Sequence, residues 1–187
     1  MPSTSPTTFP RRRNSFRVHV AASLDGFIAS PDGSTVWKRP FETADYGLDD
    51  FLDTVATLVM GRTTYEHLGA GADWPFTDKR TIVVTSRSME TAPDGVETWL
   101  GDLCALVAEL ESAATGDTWV VGGAKAIRAF LDLGAIDHLD LLVIPVLLGD
   151  GKPLFERSDR SSRLTLLGTK TYPDGVIKLS YVVGQPG

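Results

Sequence analysis

The stretch Thr118-Trp119-Val120-Val121-Gly122-Gly123-Ala124-Lys125-Ala126-Ile127-Arg128-Ala129-Phe130-Leu131 decides how this chain folds. An apolar strand runs into two glycines and then directly into a helix. The paired glycines leave the first backbone N–H groups of that helix bare, and bare N–H groups at a positive helix end form a site for phosphate. Lys125 adds a positive charge one turn in. The stretch therefore points to a phosphorylated ligand held at the carboxyl end of a strand.

The same punctuation recurs on both sides of it. Phe16 to Ala22 alternates like a strand, Ser23-Leu24-Asp25-Gly26 turns, Phe27-Ile28-Ala29 continues briefly, and Pro31-Asp32-Gly33-Ser34 turns again. Residues 34 to 44 look irregular. The pattern predicts a helix from Ala44 to Val55, with Leu48, Phe51, Leu52 and Val55 on one face. Leu58-Val59-Met60 reads as a short buried strand ended by Gly61, and Thr63-Thr64-Tyr65-Glu66 opens a helix with hydroxyls placed for capping. Arg80 to Thr85 is a further strand, 101 to 112 a helix, 124 to 133 a helix stopped by Gly134, and His138 to Val146 a long apolar strand. Arg163 to Lys170 and Val176 to Val183 form a hairpin across Pro173-Asp174-Gly175. Strands alternating with helices predict an α/β fold whose sheet is mainly parallel, with an antiparallel C-terminal hairpin strand.

Three strand-to-helix corners carry phosphate-compatible groups: Gly61-Arg62-Thr63-Thr64, Thr85-Ser86-Arg87, and Gly122-Gly123-Ala124-Lys125. Arginine forks onto phosphate, and hydroxyls and helix-end N–H groups complete a cage. Each corner alone has a plain structural reading, as close packing, a helix cap or a surface turn. Together, at three strand ends, they predict one extended anionic cofactor. Two arginines beside hydroxyls favour a 2′-phosphorylated dinucleotide, because an unphosphorylated ribose is usually held by an acid.

Composition narrows the remaining choices. The 187 residues suit one domain, spanning 16–184 after an N-terminal arm at 1–15 with little to bury. A net charge of −6 argues against nucleic-acid binding. The one cysteine excludes an internal disulfide, and the leucines around Cys104 at helical spacing make it a small core residue. His19, His67 and His138 lack ligand spacing, so no metal site is expected. Arg11-Arg12-Arg13 is followed by no clean apolar stretch, and no run is long enough to span a membrane, which predicts a cytoplasmic protein.

These motifs resemble the dihydrofolate reductase-like fold. The residues that carry the resemblance are Ser23-Leu24-Asp25-Gly26, Val59-Met60-Gly61-Arg62-Thr63-Thr64-Tyr65-Glu66, Val83-Val84-Thr85-Ser86-Arg87, Val120-Val121-Gly122-Gly123 and Ile144-Pro145-Val146-Leu147-Leu148-Gly149-Asp150-Gly151-Lys152-Pro153-Leu154-Phe155. Within that fold the chain is most similar to the reductase domain of bacterial riboflavin biosynthesis. The resemblance implies a three-layer architecture and an NADPH-dependent reductase of a pyrimidine or pterin-like substrate, of the 5-amino-6-(5-phosphoribosylamino)uracil reductase type. It also implies a cis bond between Gly122 and Gly123 and a homodimer. Two positions depart from the family pattern: Phe27 stands where lysine is typical, and Val121 where glutamate is frequent. Both changes remove polar groups from the substrate side.

Asp45 is the first candidate for a catalytic carboxylate, because helical spacing puts it on a face with Leu48 and Leu52. Asp25, at a strand end facing the same cleft, is the second. Ala22, Phe27, Trp37, Asp49 and Val121 are the candidate substrate contacts. Two other readings stay open: a true dihydrofolate reductase, and a non-catalytic nucleotide- or drug-binding protein on the same fold.

Overall fold

The computed structural model describes residues 14–42, 44–69, 74–87, 89, 94–113 and 115–186. In chain order these comprise β1 (Phe16–Ser23), β2 (Phe27–Ala29), a 3-10 turn (Val36–Phe41), α1 (Leu48–Leu52), β3 (Val55–Gly61), α2 (Arg62–Gly69), β4 (Arg80–Val84) and β5 (Val96–Trp99). There follow α3 (Leu103–Ala113), β6 (Asp117–Gly122), α4 (Ala124–Asp132), β7 (His138–Ile144), β8 (Lys152–Pro153), β9 (Ser162–Thr171) and β10 (Ile177–Pro186). Eight strands build one sheet in the order β5-β4-β3-β6-β1-β7-β10-β9. From β5 to β7 every neighbour pair is parallel, while β10 runs antiparallel to both β7 and β9. The expected α/β sheet with an antiparallel C-terminal hairpin is present.

Alternation along β1 divides the core into two layers. Phe16, Val18 and Ala22 are buried together with Leu106 and Leu110 of α3 and Ile127, Phe130 and Leu131 of α4. On the other face Phe51 of α1 and Tyr65 of α2 pack with Leu58, Met60, Val83, Trp74 and Trp119. Four rings there interlock edge to face: Phe51 on Trp119, Phe76 on Trp119 and Trp74 on Phe76.

Several expectations are corrected. The helix foreseen from Ala44 begins only at Leu48, because Tyr46 and Gly47 take φ values of 51° and 82°. Asp45 therefore lies outside the helix and does not share a face with Leu48 and Leu52. Cys104 is exposed. The buried stripe of α3 is Leu106 and Leu110, flanked by Leu103 and Val107, and position 104 falls off it by one residue's rotation. Residues 36–41 are a 3-10 turn rather than irregular, β3 is longer than foreseen, and the short β5 and β8 were not anticipated. Of the expected arm, residues 1–13 lie outside the described residues. Asn14 and Ser15 belong to the domain: Asn14 donates to the Leu110 carbonyl at 2.7 Å, and the Ser15 N–H donates to Asp117 at 3.2 Å.

Candidate functional site

β4, β3 and β6 are adjacent and parallel, so their carboxyl ends and the three glycine- or serine-containing corners stand side by side on one edge of the sheet. Val84 pairs with Gly61, and Met60 pairs with Gly122. A Cβ on Gly61 would lie 3.9 Å from the Gly122 carbonyl oxygen, and one on Gly123 would lie 3.3 Å from Thr64 Oγ1. The first turn of α2 thus abuts the glycine pair. The Gly122–Gly123 bond is cis, as expected from the resemblance. Gly122 has φ +134°, a conformation that favours glycine. No side chain caps the start of α4, which leaves its leading N–H groups for another partner.

Beside this corner the sheet opens. β1 pairs with β7 along its length, from Arg17 opposite His138 to Ser23 opposite Ile144. Its ladder with β6 covers only Phe16 opposite Thr118 and Arg17 opposite Trp119. Beyond those residues no backbone ladder ties β1 to β6. This is also where strand order reverses, since the chain passes from β1 to β3 on one side and later adds β7 on the other. Open α/β sheets bind ligands in such a crevice.

Among the cofactor-side residues, Arg62, Thr63, Ser86, Arg87 and Lys125 are exposed, while Gly61, Thr64 and Gly123 are partly so and Ala124 is buried. Arg62 is paired with Glu66 through an Nε–Oε1 contact of 2.7 Å on the same helix. Thr85 Oγ1 accepts the Arg87 N–H at 3.2 Å and so shapes the serine turn.

Both candidate carboxylates are occupied by backbone. Asp25 accepts the Ser23 hydroxyl and the amides of Leu148 and Gly149, the latter at 2.7 Å. The Ser23 hydrogen bond, reinforced by those amides, lowers its pKa. It thereby ties the 146–150 loop to the end of β1. Asp45 accepts the amides of Asp49 at 2.9 Å and Gly47 at 2.8 Å, and these bonds, Asp49 first, lower its pKa. It caps α1. Asp49 is exposed on that helix.

The substrate-side candidates divide between the layers. Val121 packs with the α1–α2 aromatic cluster, and Trp37 packs against Tyr46, Leu142, Ile144 and Val176 near Ala21 and Val146. Phe27 lies under Gly151, where a Cβ would come within 3.2 Å of its ring and 2.3 Å of the Ala29 carbonyl oxygen. Ala22 turns its methyl to the opposite face, buried in the core beneath α4.

Two charged features escaped the sequence reading. Asp140 is buried at mid-sheet, with Arg17 Nη2 at 3.4 Å, Lys178 Nζ at 3.8 Å, His19 Nδ1 at 3.9 Å and a hydrogen bond from Ser180. Burial opposes its ionisation, yet His19, Ser180 and Lys178 together hold its pKa well below the usual carboxylate range. A hollow lined by Arg17, Tyr46, Phe51, Lys170, Tyr172 and Lys178 opens beside it, halfway along the strands rather than at their carboxyl ends. The second feature is Lys38 on the 3-10 turn, whose Nζ lies 5.1 Å from the centre of the Trp37 ring. The first has no local signal, because its partners are brought together only by the fold, whereas Trp37 and Lys38 are consecutive in the chain. Among the described residues no group of histidine, cysteine and carboxylate side chains stands where it could hold a metal ion, and no helix is long and apolar enough to cross a membrane.

The family model described as the RibD C-terminal domain matches residues 15–178. The chain belongs to the RibD C-terminal domain family. It is 38% identical over 168 residues to the uncharacterized Bacillus subtilis protein YwjB, covering 88% of this chain and 95% of that one. A crystal structure of a Shewanella sp. PV-4 protein named for riboflavin biosynthesis superposes with a TM-score of 0.80 at 28% identity, covering 90% of this chain and 98% of that one. Dihydrofolate reductase from Enterococcus faecalis, complexed with NADP(H), has a TM-score of 0.58 at 21% identity over 92% of this chain and 96% of that one, a likeness of fold. The RibD-type reductase fold is thus of the dihydrofolate reductase class.

Proposed function

We propose that this RibD-family chain is a cytoplasmic, NADPH-dependent reductase of a small heterocyclic substrate, pyrimidine- or pterin-like. The supporting observation is the alignment of three phosphate-compatible corners on one sheet edge, beside the carboxyl ends of β1 and β6, which no ladder joins to each other. In this reading Gly122, Gly123, Ala124 and Lys125 at the uncapped start of α4, with Gly61, Thr63 and Thr64, take the pyrophosphate. Arg62, Ser86 and Arg87 take the 2′-phosphate. The bound cofactor supplies a hydride. The chain's residues orient it and shape the acceptor's side, where Phe27, Trp37 and Val121 make the wall apolar. Such a wall suits the flat face of a heterocycle better than a phosphoribosyl group.

Titrating NADPH against the intrinsic tryptophan fluorescence tests the cofactor assignment, and NADPH oxidation followed at 340 nm over a panel of pyrimidine and pterin acceptors, dihydrofolate included, tests turnover. Binding with oxidation supports the reductase. No fluorescence response at saturating NADPH refutes it. One observation favours a second reading, a non-catalytic binder: both candidate carboxylates, Asp25 and Asp45, are engaged by backbone amides. Binding without oxidation across the panel would support that reading.

The homodimer belongs to the same proposal. β9 is an edge strand that exposes Leu164, Leu166 and Leu167, at 40%, 53% and 49%, beside Ile177 of β10. A second copy's hairpin is an occupant of matching apolar character.

A further inference from the structure

β10 brings Lys178 directly opposite Lys170 of β9, and two residues along the same face it brings Ser180 opposite Gly168. Like charges facing each other across an antiparallel pair destabilise it. A lysine on an edge strand guards that edge against stray pairing. Lys178, however, lies one strand inward, with its side chain only 16% exposed. Its ion pair is the 3.8 Å contact with Asp140, a carboxylate it shares with Arg17 and His19. Lys170 makes no ion pair among the described residues, and its Nζ rests 4.9 Å from the centre of the Tyr172 ring.

Both lysines line the hollow beside Asp140, whose volume of about 470 Å³ is that of a small-ligand site. Against Arg17, Lys170 and Lys178, Asp50 is the one carboxylate among the described lining residues, in a chain of net charge −6. Arg17 is already engaged by Asp117 at 3.1 Å and Asp140 at 3.4 Å, which leaves recognition to the two lysines. Aromatic surface completes the wall: Phe51 of α1, with Tyr46 and Tyr172 edge to face at 4.9 Å. The Tyr172 hydroxyl is buried without a hydrogen-bond partner. Gly168 keeps room beside them, since a Cβ there would meet nothing within 4 Å.

We propose that this hollow is a second ligand site, separate from the cofactor corners, and that it takes a small planar acid: a carboxylate on a flat ring. The carboxylate lies between the ammonium groups of Lys170 and Lys178 and relieves their repulsion. The ring lies against Tyr46, Phe51 and Tyr172. A bare anion would leave the aromatic wall unused, and a neutral ring would leave the lysines opposed.

The test is a titration of the full chain, followed in amide correlation NMR spectra, with benzoate, acetate and benzamide. Benzoate should shift residues 46–51, 168–172 and 178–180, with millimolar affinity. Acetate and benzamide, each carrying half of its chemistry, should bind roughly fivefold more weakly or worse. Lys170→Glu, at an exposed position, and Gly168→Leu, which fills the hollow, should each weaken benzoate by roughly the same factor or more. No benzoate shifts in those segments, equal affinity for acetate or benzamide, or an affinity untouched by Lys170→Glu overturns the proposal. So does an affinity that falls as protein concentration rises, because a second copy then fills the hollow. None of these outcomes bears on the reductase reading, which NADPH binding decides separately.

Discussion

Arg62 and Arg87 flank the same sheet edge but are held differently, and the difference sets the size of a measurable effect. Arg87 is exposed and makes no ion pair among the described residues. Arg62 is joined to Glu66 at 2.7 Å, with side chains 44% and 49% exposed. An exposed i,i+4 pair of that kind is worth roughly 0.3–0.5 kcal/mol. A charge-assisted contact to the 2′-phosphate is worth roughly 1–3 kcal/mol. Replacing Arg87 by Ala should therefore weaken NADPH by the whole contact, about 5- to 150-fold. Replacing Arg62 loses the same contact but spares the small cost of separating it from Glu66, so its penalty should be smaller by up to about twofold. NADH, which lacks the phosphate, should be little affected by either. Tryptophan fluorescence titration with both dinucleotides measures all four ratios. Equal losses for NADPH and NADH in either variant would refute the 2′-phosphate assignment.

Four further outcomes are expected. Asp140→Ala removes the buried carboxylate beside Lys178, His19 and Arg17, leaving Arg17 its pair with Asp117 at 3.1 Å, and should cost about 3–5 kcal/mol in urea unfolding. Because the folded-state pKa of Asp140 is lowered, its contribution is present above the ordinary carboxylate pKa and is lost as pH falls below it. The variant's stability should accordingly fall less steeply in acid than that of wild type. Leu106→Ala, at a position with no exposure, should cost about 2–5 kcal/mol by the same unfolding assay and leave NADPH affinity unchanged. Asp25→Ala should speed amide hydrogen exchange at Leu148 and Gly149, the two N–H groups it accepts, and unchanged exchange there would contradict its role as loop anchor. Leu166→Lys should shift the protein towards monomer in analytical ultracentrifugation if β9 is the dimer face.

The sheet and its three corners were legible because each is written in consecutive residues. An apolar run that stops at Gly61 or Gly122 announces both the strand and its end, and the Pro173-Asp174-Gly175 turn announces the hairpin. The start of α1 was not legible. Apolar spacing from Leu48 onward is equally compatible with a helix beginning at Ala44, and only the left-handed Tyr46 and Gly47, with Asp45 capping from outside, shorten it. Cys104 was misplaced for a similar reason: leucines at 103, 106 and 110 surround it in sequence, yet the helix rotates it clear of their stripe. Strand order lay beyond local reading. Nothing in the hairpin sequence places β10 between β7 and β9, and the grouping of Arg17, Asp140 and Lys178 follows from β7 lying between β1 and β10.

Amide hydrogen exchange with and without saturating NADPH tests most directly whether one ligand spans the three corners. Slowed exchange at residues 61–64, 85–87 and 122–126 in the same experiment is the predicted result. Slowing confined to one of those segments, or found only elsewhere in the chain, would contradict it.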